Sequence, residues 1–412
     1  MNKYLVRSLL AAVITAVATI LPAQVTTGAL AGRVTAQQGG VGVAGVRVRA
    51  LHVPSGTAYQ ALSRIDGRYS IPGMRVGGPY TITANTIGFA PQTRNGVVIQ
   101  LGVQTEVNFT IAPAAVQLST VSVTAETGGV LSASRTGAAT TVGRDALEQL
   151  PTINRSINDF TRLTPQASGQ SFAGQDSRLN NITIDGSYFN NSFGLGAGAT
   201  PGGRTGVSPI PLDAVDQIQV NIAPFDVRQG NFVGAGVNAV TKSGTNTFTG
   251  SIYRLQRNQS FVGDSAGKLP VNAGTFDFAQ WGVRLGGPII RNKLFFFVNF
   301  EANDQDNTKN VNPGTATPAQ IALIGFNPAT FAGSTTAPFR EKLGFGKLTL
   351  QAADNHRIEL TGSIRKETDT RGFGGQDAFS RGERVKNDVY TVRLEDRFVG
   401  NGFFNCRAQI YG

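Results

Sequence analysis

Histidine occurs twice in this sequence, at His52 and His356, and cysteine once, at Cys406. One cysteine makes no internal disulfide and no Cys-rich zinc or iron–sulfur set within a chain. Two histidines so far apart leave little room for metal catalysis, and no Ser/His/Asp set stands out. Three glycine- or acid-rich runs imitate known chemistry and fail in detail. From Gly236 to Ser243 the run suggests a phosphate loop, but Thr241 stands where a glycine must precede Lys242. Gly194-Leu195-Gly196-Ala197-Gly198-Ala199 imitates a dinucleotide fingerprint, yet Pro201-Gly202-Gly203 prevents the helix it needs. Asp304-Gln305-Asp306-Asn307 starts like a calcium loop, but Lys309 replaces its glycine and Thr315 its glutamate, which predicts a solvated hairpin loop. The chain reads as no enzyme, with no cofactor and no resident metal.

What remains is a scaffold rich in strands. The 412 residues include 51 glycines and 25 phenylalanines, while charged residues are only 15%, a mixture that favours strands and turns over helices. Net charge is +11, but the basic residues stand singly, as at Arg47, Arg49, Arg64 and Arg68. A nucleic-acid binder concentrates such charge on one face, so no nucleic-acid partner is expected.

Residues 1–23 read as a signal peptide. Lys3 and Arg7 precede an apolar stretch from Leu9 to Leu21, too short to cross ~30 Å of hydrocarbon as a helix. Pro22-Ala23-Gln24 supplies the cleavage site, between Ala23 and Gln24. No later segment reaches eighteen apolar residues, so any membrane entry must be as a β-barrel.

Residues 27–112 carry short alternating runs separated by turns such as Asp66-Gly67 and Gly77-Gly78-Pro79. About seven strands predict a small β-sandwich, with Ile71 and Tyr80 in its core. Gly32-x-Val34, Gly45-Val46-x-Val48, Asp66-Gly67-Arg68-Tyr69-x-Ile71, Gly77, Tyr80 and Gly88-Phe89 resemble the carboxypeptidase regulatory-like domain, which implies a sandwich of the immunoglobulin or transthyretin type. The resemblance brings no peptidase activity, since His52 stands alone.

Residues 113–127 read as a linker ending in Leu118-Ser119-Thr120-Val121-Ser122-Val123-Thr124-Ala125. Residues 128–244 follow as an α/β unit. Its expected elements are a helix over 145–150 stopped by Pro151, and a second over 155–163 with Ile157, Phe160 and Leu163 on one face. A strand and turn follow at Asn181-Ile182-Thr183-Ile184-Asp185-Gly186. The phrase Asp213-Ala214-Val215-Asp216-Gln217-Ile218-Gln219-Val220, with Gly234-x-Gly236-Val237-Asn238-Ala239-Val240-Thr241-Lys242-Ser243-Gly244, resembles the plug domain of TonB-dependent outer-membrane receptors. In that light Val121, Ser122, Val123, Thr124 and Ala125 resemble the TonB box, an extended peptide that a TonB-type periplasmic energy-coupling protein grips by strand addition.

From residue 245 to 412 the expected strands, near 248–257, 278–286, 294–302, 345–352, 357–367, 388–398 and 403–411, alternate apolar with polar residues, the pattern of a transmembrane barrel. The run Gly286-Gly287-Pro288-Ile289-Ile290-Arg291-Asn292-Lys293-Leu294-Phe295-Phe296-Phe297 resembles the first barrel hairpin of the Oar-like branch of these receptors. The predicted fold class is mainly β: a sandwich, an α/β plug and the first strands of an incomplete barrel. Seven strands cannot enclose a plug, so the resemblance implies the N-terminal part of a larger receptor. It further implies an integral outer-membrane protein of a Gram-negative-type bacterium with its sandwich in the periplasm. Its expected partners are outer-membrane lipid and an extracellular ligand of unknown kind, and its work ligand-gated uptake driven by the inner-membrane proton gradient. The alternative is a structural or adhesive surface protein without energy coupling.

Overall fold

A computed structural model describes residues 25–114, 139–152, 155–191, 198–200, 208–224, 229–263, 265–267, 269–270, 274–399 and 403–411. The first eight strands are β1 (Gly28–Ala36), β2 (Arg47–His52), β3 (Thr57–Leu62), β4 (Arg68–Met74), β5 (Gly77–Asn85), β6 (Gln92–Ile99), β7 (Gln104–Glu106) and β8 (Phe109–Ile111). They form two sheets. In one, β1 lies between antiparallel β4 and the parallel pieces β7 and β8; in the other the order is β3-β2-β5-β6. The period-2 pattern explains the packing. Along Arg47-Val48-Arg49-Ala50 the arginines face water, while Val48 and Ala50 join Leu30, Val34, Ile71, Tyr80, Ile82 and Phe109 between the sheets. Gly67 turns the β3–β4 connection at φ 78°, where an added Cβ would strike the Val34 carbonyl oxygen at 2.3 Å.

A second unit contains β9 (Ala139–Val142), β10 (Ala167–Ser168), β11 (Ser171–Phe172), β12 (Asn181–Ile184), β13 (Ser187–Tyr188), β14 (Val215–Asn221) and β15 (Gly236–Thr241). Five of these make a mixed sheet in the order β13-β12-β15-β14-β9. Helices Arg144–Gln149 and Ile157–Thr161 cover it, the second started by a Ser156–Asp159 capping box. Ile157 and Phe160 are buried as expected, but Leu163 is 45% exposed: the helix ends at Thr161 and the chain turns before Leu163 can return to that face. Asp185 at φ 50° and Gly186 at φ 75° form the two-residue turn between β12 and β13, a geometry that an Asp-Gly pair adopts readily. Strand β14 is buried on both faces. Val215, Ile218 and Val220 enter the core, and Asp216, Gln217, Gln219 and Asn221 point the other way.

The third unit is a seven-stranded antiparallel meander: β16 (Thr249–Asn258), β19 (Phe276–Ile290), β20 (Leu294–Val311), β21 (Gly333–Ala353), β22 (His356–Arg371), β23 (Glu383–Val399) and β24 (Phe403–Tyr411). A small hairpin, β17 (Ser265–Ala266) and β18 (Leu269–Pro270), lies between the first two. Among the described residues, one rim carries tight connections at 291–293 and 354–355; the other carries long ones at 312–332 and 372–382. Outward positions such as Trp281, Val283, Leu285, Val298, Leu348, Leu360 and Val392 are apolar and exposed. Many inward positions are polar and buried. Others are apolar, among them Phe278, Phe295 and Leu343, and the apolar Phe297, Phe345 and Val389 join the core of the α/β unit. Asp304-Gln305-Asp306-Asn307 lies inside β20 paired with β21, not in a loop; Arg340 across the ladder holds Asp306 at 2.8 Å. An acidic run beside a basic neighbour strand extends the ladder instead of ending it.

Candidate functional site

The three units meet at one buried, charged junction. Asp185 stands at the tip of the β12–β13 turn, where its backbone N–H donates to Ala239 O at 2.8 Å. Its carboxylate accepts from the Thr241 backbone N–H at 2.8 Å and from Thr241 Oγ1 at 2.5 Å. From the barrel wall, Lys347 Nζ reaches Asp185 Oδ2 at 3.4 Å and Thr241 Oγ1 at 3.1 Å. Arg393 donates to the Asp185 carbonyl oxygen at 2.9 Å and sits 3.4 Å from its carboxylate. All these side chains are buried.

Register explains how the wall supplies so much charge. On its inner face, cross-strand rows read Lys347–Thr361–Arg393, then Thr349–Glu359–Glu395, then Gln351–Arg357–Arg397. In the second and third rows like charges, Glu359–Glu395 and Arg357–Arg397, lie directly opposite one another, an arrangement that costs energy on its own. The acidic row between two basic rows compensates it. Glu359 lies 3.4 Å from Lys347, 3.4 Å from Arg357 and 3.6 Å from Arg393; Glu395 lies 2.5 Å from Arg393 and 2.7 Å from Arg397. Lys347 and Arg393 therefore each have a carboxylate within their own wall besides the one supplied by Asp185.

The sandwich closes the junction from the tight-turn rim. Gln217 accepts from the Leu101 N–H at 3.0 Å and donates to Ile99 O at 3.3 Å, while Gln219 donates to Leu101 O at 2.8 Å. Asn238 donates to Val25 O, and Arg397 donates to Thr26 Oγ1 at 2.6 Å. Val25, Val76, Leu101 and Val240 form a small apolar contact beside them. At the rim, Asn246 donates its backbone N–H to Pro54 O and its side chain to Asn292 Oδ1. Two further pairs tie helix 144–149 to the assembly: Arg144–Asp216 at 2.6 Å and Lys242–Glu148 at 3.2 Å. Burial lowers the Lys242 ammonium below the ordinary lysine value, and Arg284 adds to this, while Glu148 opposes both.

His52 ends β2 buried beneath this interface. Its Nδ1 lies 2.6 Å from Ser55 Oγ, and its ring packs 4.9 Å from that of Tyr80. Burial, then the positive charge of Arg75, hold its pKa down at about 2. His356 pairs with Asp396 at 2.6 Å on the wall, and Cys406 is exposed on β24. The expected partner-binding residues Val121, Ser122, Val123, Thr124 and Ala125, and the expected cleavage pair Ala23 and Gln24, lie outside the described residues. Sequence reasoning missed Lys347, Glu359 and Arg393 as a group. The signal was present as charges at inward positions of alternating strands, but only the register brings them together.

Residues 29–112 match the carboxypeptidase regulatory-like domain, and residues 240–395 match the outer membrane beta barrel domain. The TonB-dependent transporter Oar of Myxococcus xanthus is 24% identical over 345 residues; the match covers 75% of this chain, which spans 30% of that relative's length. Among solved structures, the outer membrane transporter YddB from Escherichia coli aligns at TM-score 0.48 and 14% identity, over 66% of this chain and 38% of that one. The siderophore receptor PirA from Acinetobacter baumannii aligns at 0.44 and 18%, over 67% and 44%. The chain joins a carboxypeptidase regulatory-like domain to an outer membrane β-barrel domain, is homologous to a TonB-dependent transporter, and has its place in the outer membrane.

Proposed function

We propose that this chain works as part of an outer-membrane receptor that takes up an extracellular ligand, with the α/β unit as its movable plug. The observation that carries this reading is the seat of Asp185. A buried cation that loses its only partner costs ~3–5 kcal/mol, which would fasten the unit permanently. Here Glu359 lies within 3.6 Å of both Lys347 and Arg393, so the wall keeps a carboxylate for each when Asp185 leaves. Such a seat holds firmly and releases at reduced cost.

On this reading residues 1–23 direct export, residues 113–127 tether the sandwich to a plug over 128–244, and the tight-turn rim with its sandwich faces the periplasm, as short barrel turns do. Val121–Ala125 offers the extended strand that a TonB-type protein pulls with energy from the inner-membrane proton gradient. The chain's own part is mechanical: no group in it need form or break a bond.

The test is Val123→Pro in the full-length receptor, which removes one N–H donor and fixes φ near −65°. Capture by the periplasmic partner should fall sharply, with Val123→Ala falling much less. Unchanged capture by Val123→Pro would place the handle elsewhere. Uptake that persists without any handle would favour a surface protein that only presents its loops.

A further inference from the structure

The buried junction holds more positive charge than its carboxylates balance. Arg357 and Arg397 lie directly opposite each other on the inner wall, a like-charge contact that costs energy unless something offsets it. Arg357 reaches Glu359 through Nε at 3.4 Å, and Arg397 reaches Glu395 and Thr26 through Nη2. Arg357 Nη1 and Arg397 Nε and Nη1 are buried and have no hydrogen-bond partner among the described residues. A third guanidinium comes from the sandwich, on Arg75 just after β4, and is in no ion pair among the described residues.

All three arginines line one cavity of about 20 Å³, to which the α/β unit adds Asp185 and Asp216 and the wall adds Lys347. Asp216 is matched by Arg144 at 2.6 Å. Asp185, Glu359 and Glu395 then face Arg75, Lys347, Arg357, Arg393 and Arg397. Three carboxylates against five cations leave an excess of two positive charges in a buried place. The sandwich feels this field: burial, then Arg75, Arg357 and Arg144, hold the His52 imidazole below its ordinary value, and burial, then Arg357, do the same to Arg75. A water in the cavity would satisfy the open N–H groups and leave the excess charge unchanged. A single anion meets both needs.

We propose that this cavity binds one monatomic anion of the chloride type, held between the guanidinium groups of Arg75, Arg357 and Arg397. The occupant follows from charge and size. A space for about one water-sized particle admits a halide and excludes sulfate, phosphate and carboxylates. Arg75 belongs to the sandwich, Arg357 and Arg397 to the wall, and Asp185 and Asp216 to the α/β unit, so the site is complete only while the three units are docked. An anion bound there stabilises the docked arrangement over any other.

The experiment is thermal unfolding of the full-length receptor in neutral detergent, with gluconate replaced stepwise by chloride at constant sodium and ionic strength. The melting temperature of the unaltered protein should rise with chloride and saturate, because gluconate is too large for the cavity. Arg75→Gln removes one excess cation. Its melting temperature in gluconate alone should hold steady or rise, and the chloride needed for half the effect should increase about tenfold. Crystals of the unaltered receptor grown in bromide should show an anomalous peak between Arg75, Arg357 and Arg397. Equal melting in the two salts, a chloride midpoint unmoved in Arg75→Gln, a marked loss of its melting temperature in gluconate, or a bromide crystal without that peak would each overturn the proposal.

Discussion

Asp185, at the tip of a turn in the α/β unit, and Lys347, on the inner wall of the barrel sheet, meet at 3.4 Å with both side chains almost wholly buried. The contact spans 162 positions of sequence, and it joins the α/β unit to a wall that carries several buried charges. Its energetic character depends on Glu359, which touches Lys347, Arg357 and Arg393.

Glu359→Gln should therefore destabilise more than Asp185→Asn. The first takes from Arg357 the one carboxylate paired with it among the described residues and removes a second partner from Lys347 and Arg393, at a cost of ~3–5 kcal/mol, while the second leaves Glu359 in place and should cost about 1–2 kcal/mol. Thermal unfolding of both variants in detergent checks the order. Equal losses would mean that Glu359 does not act as the spare carboxylate.

His52 gives the docked sandwich a pH dependence with a definite sign. Its pKa in the fold is about 2, against 6.5 for an exposed imidazole, so its contribution is fully present above pH 6.5 and is lost as the pH falls below it. The loss should approach ~1.4 kcal/mol per pH unit below that point. Melting temperatures at pH 7.5, 6 and 5 should fall more steeply for the unaltered protein than for His52→Gln (buffer values chosen on either side of that ~6.5 imidazole range). Parallel profiles would show that the imidazole is not the group responsible.

Ile71 tests the sandwich as an independent body. It is 3% exposed and packs between the two sheets with Tyr80 and Phe109. The segment 27–112 should melt cooperatively by circular dichroism, and Ile71→Asp, which buries an unpaired carboxylate, should cost several kcal/mol, about 3 or more. A segment with no cooperative transition would mean that the sandwich needs its contacts at Gln217 and Gln219 to fold.

What the sequence disclosed follows from the range of the forces involved. Alternation is a local property, so the barrel strands were legible wherever one face is apolar, as at Trp281, Val283 and Leu285. The outer halves of β20 and β21 were not, because both faces there are polar; for the same reason Asp304 to Asn307 read as a loop. The Asp185-Gly186 turn was legible from its two residues alone. Its role was not, because that depends on which wall residues the register sets against it. Leu163 fitted a helical face that the chain abandons two residues earlier. The paired rows around Glu359 are a product of cross-strand register, which no single strand reveals.

The central claim is that the α/β unit sits against the charged inner wall, seated through Asp185. The direct measurement is thiol cross-linking in intact outer membranes, with Cys406→Ser as background and Asp185→Cys combined in turn with Lys347→Cys and with its neighbour Leu348→Cys. Lys347 faces the junction, whereas Leu348 faces outward on the same strand. A short bifunctional thiol reagent should join position 185 to 347 and leave 348 unjoined. Cross-linking to 348 as readily as to 347, or to neither while both thiols react after unfolding, would contradict the account.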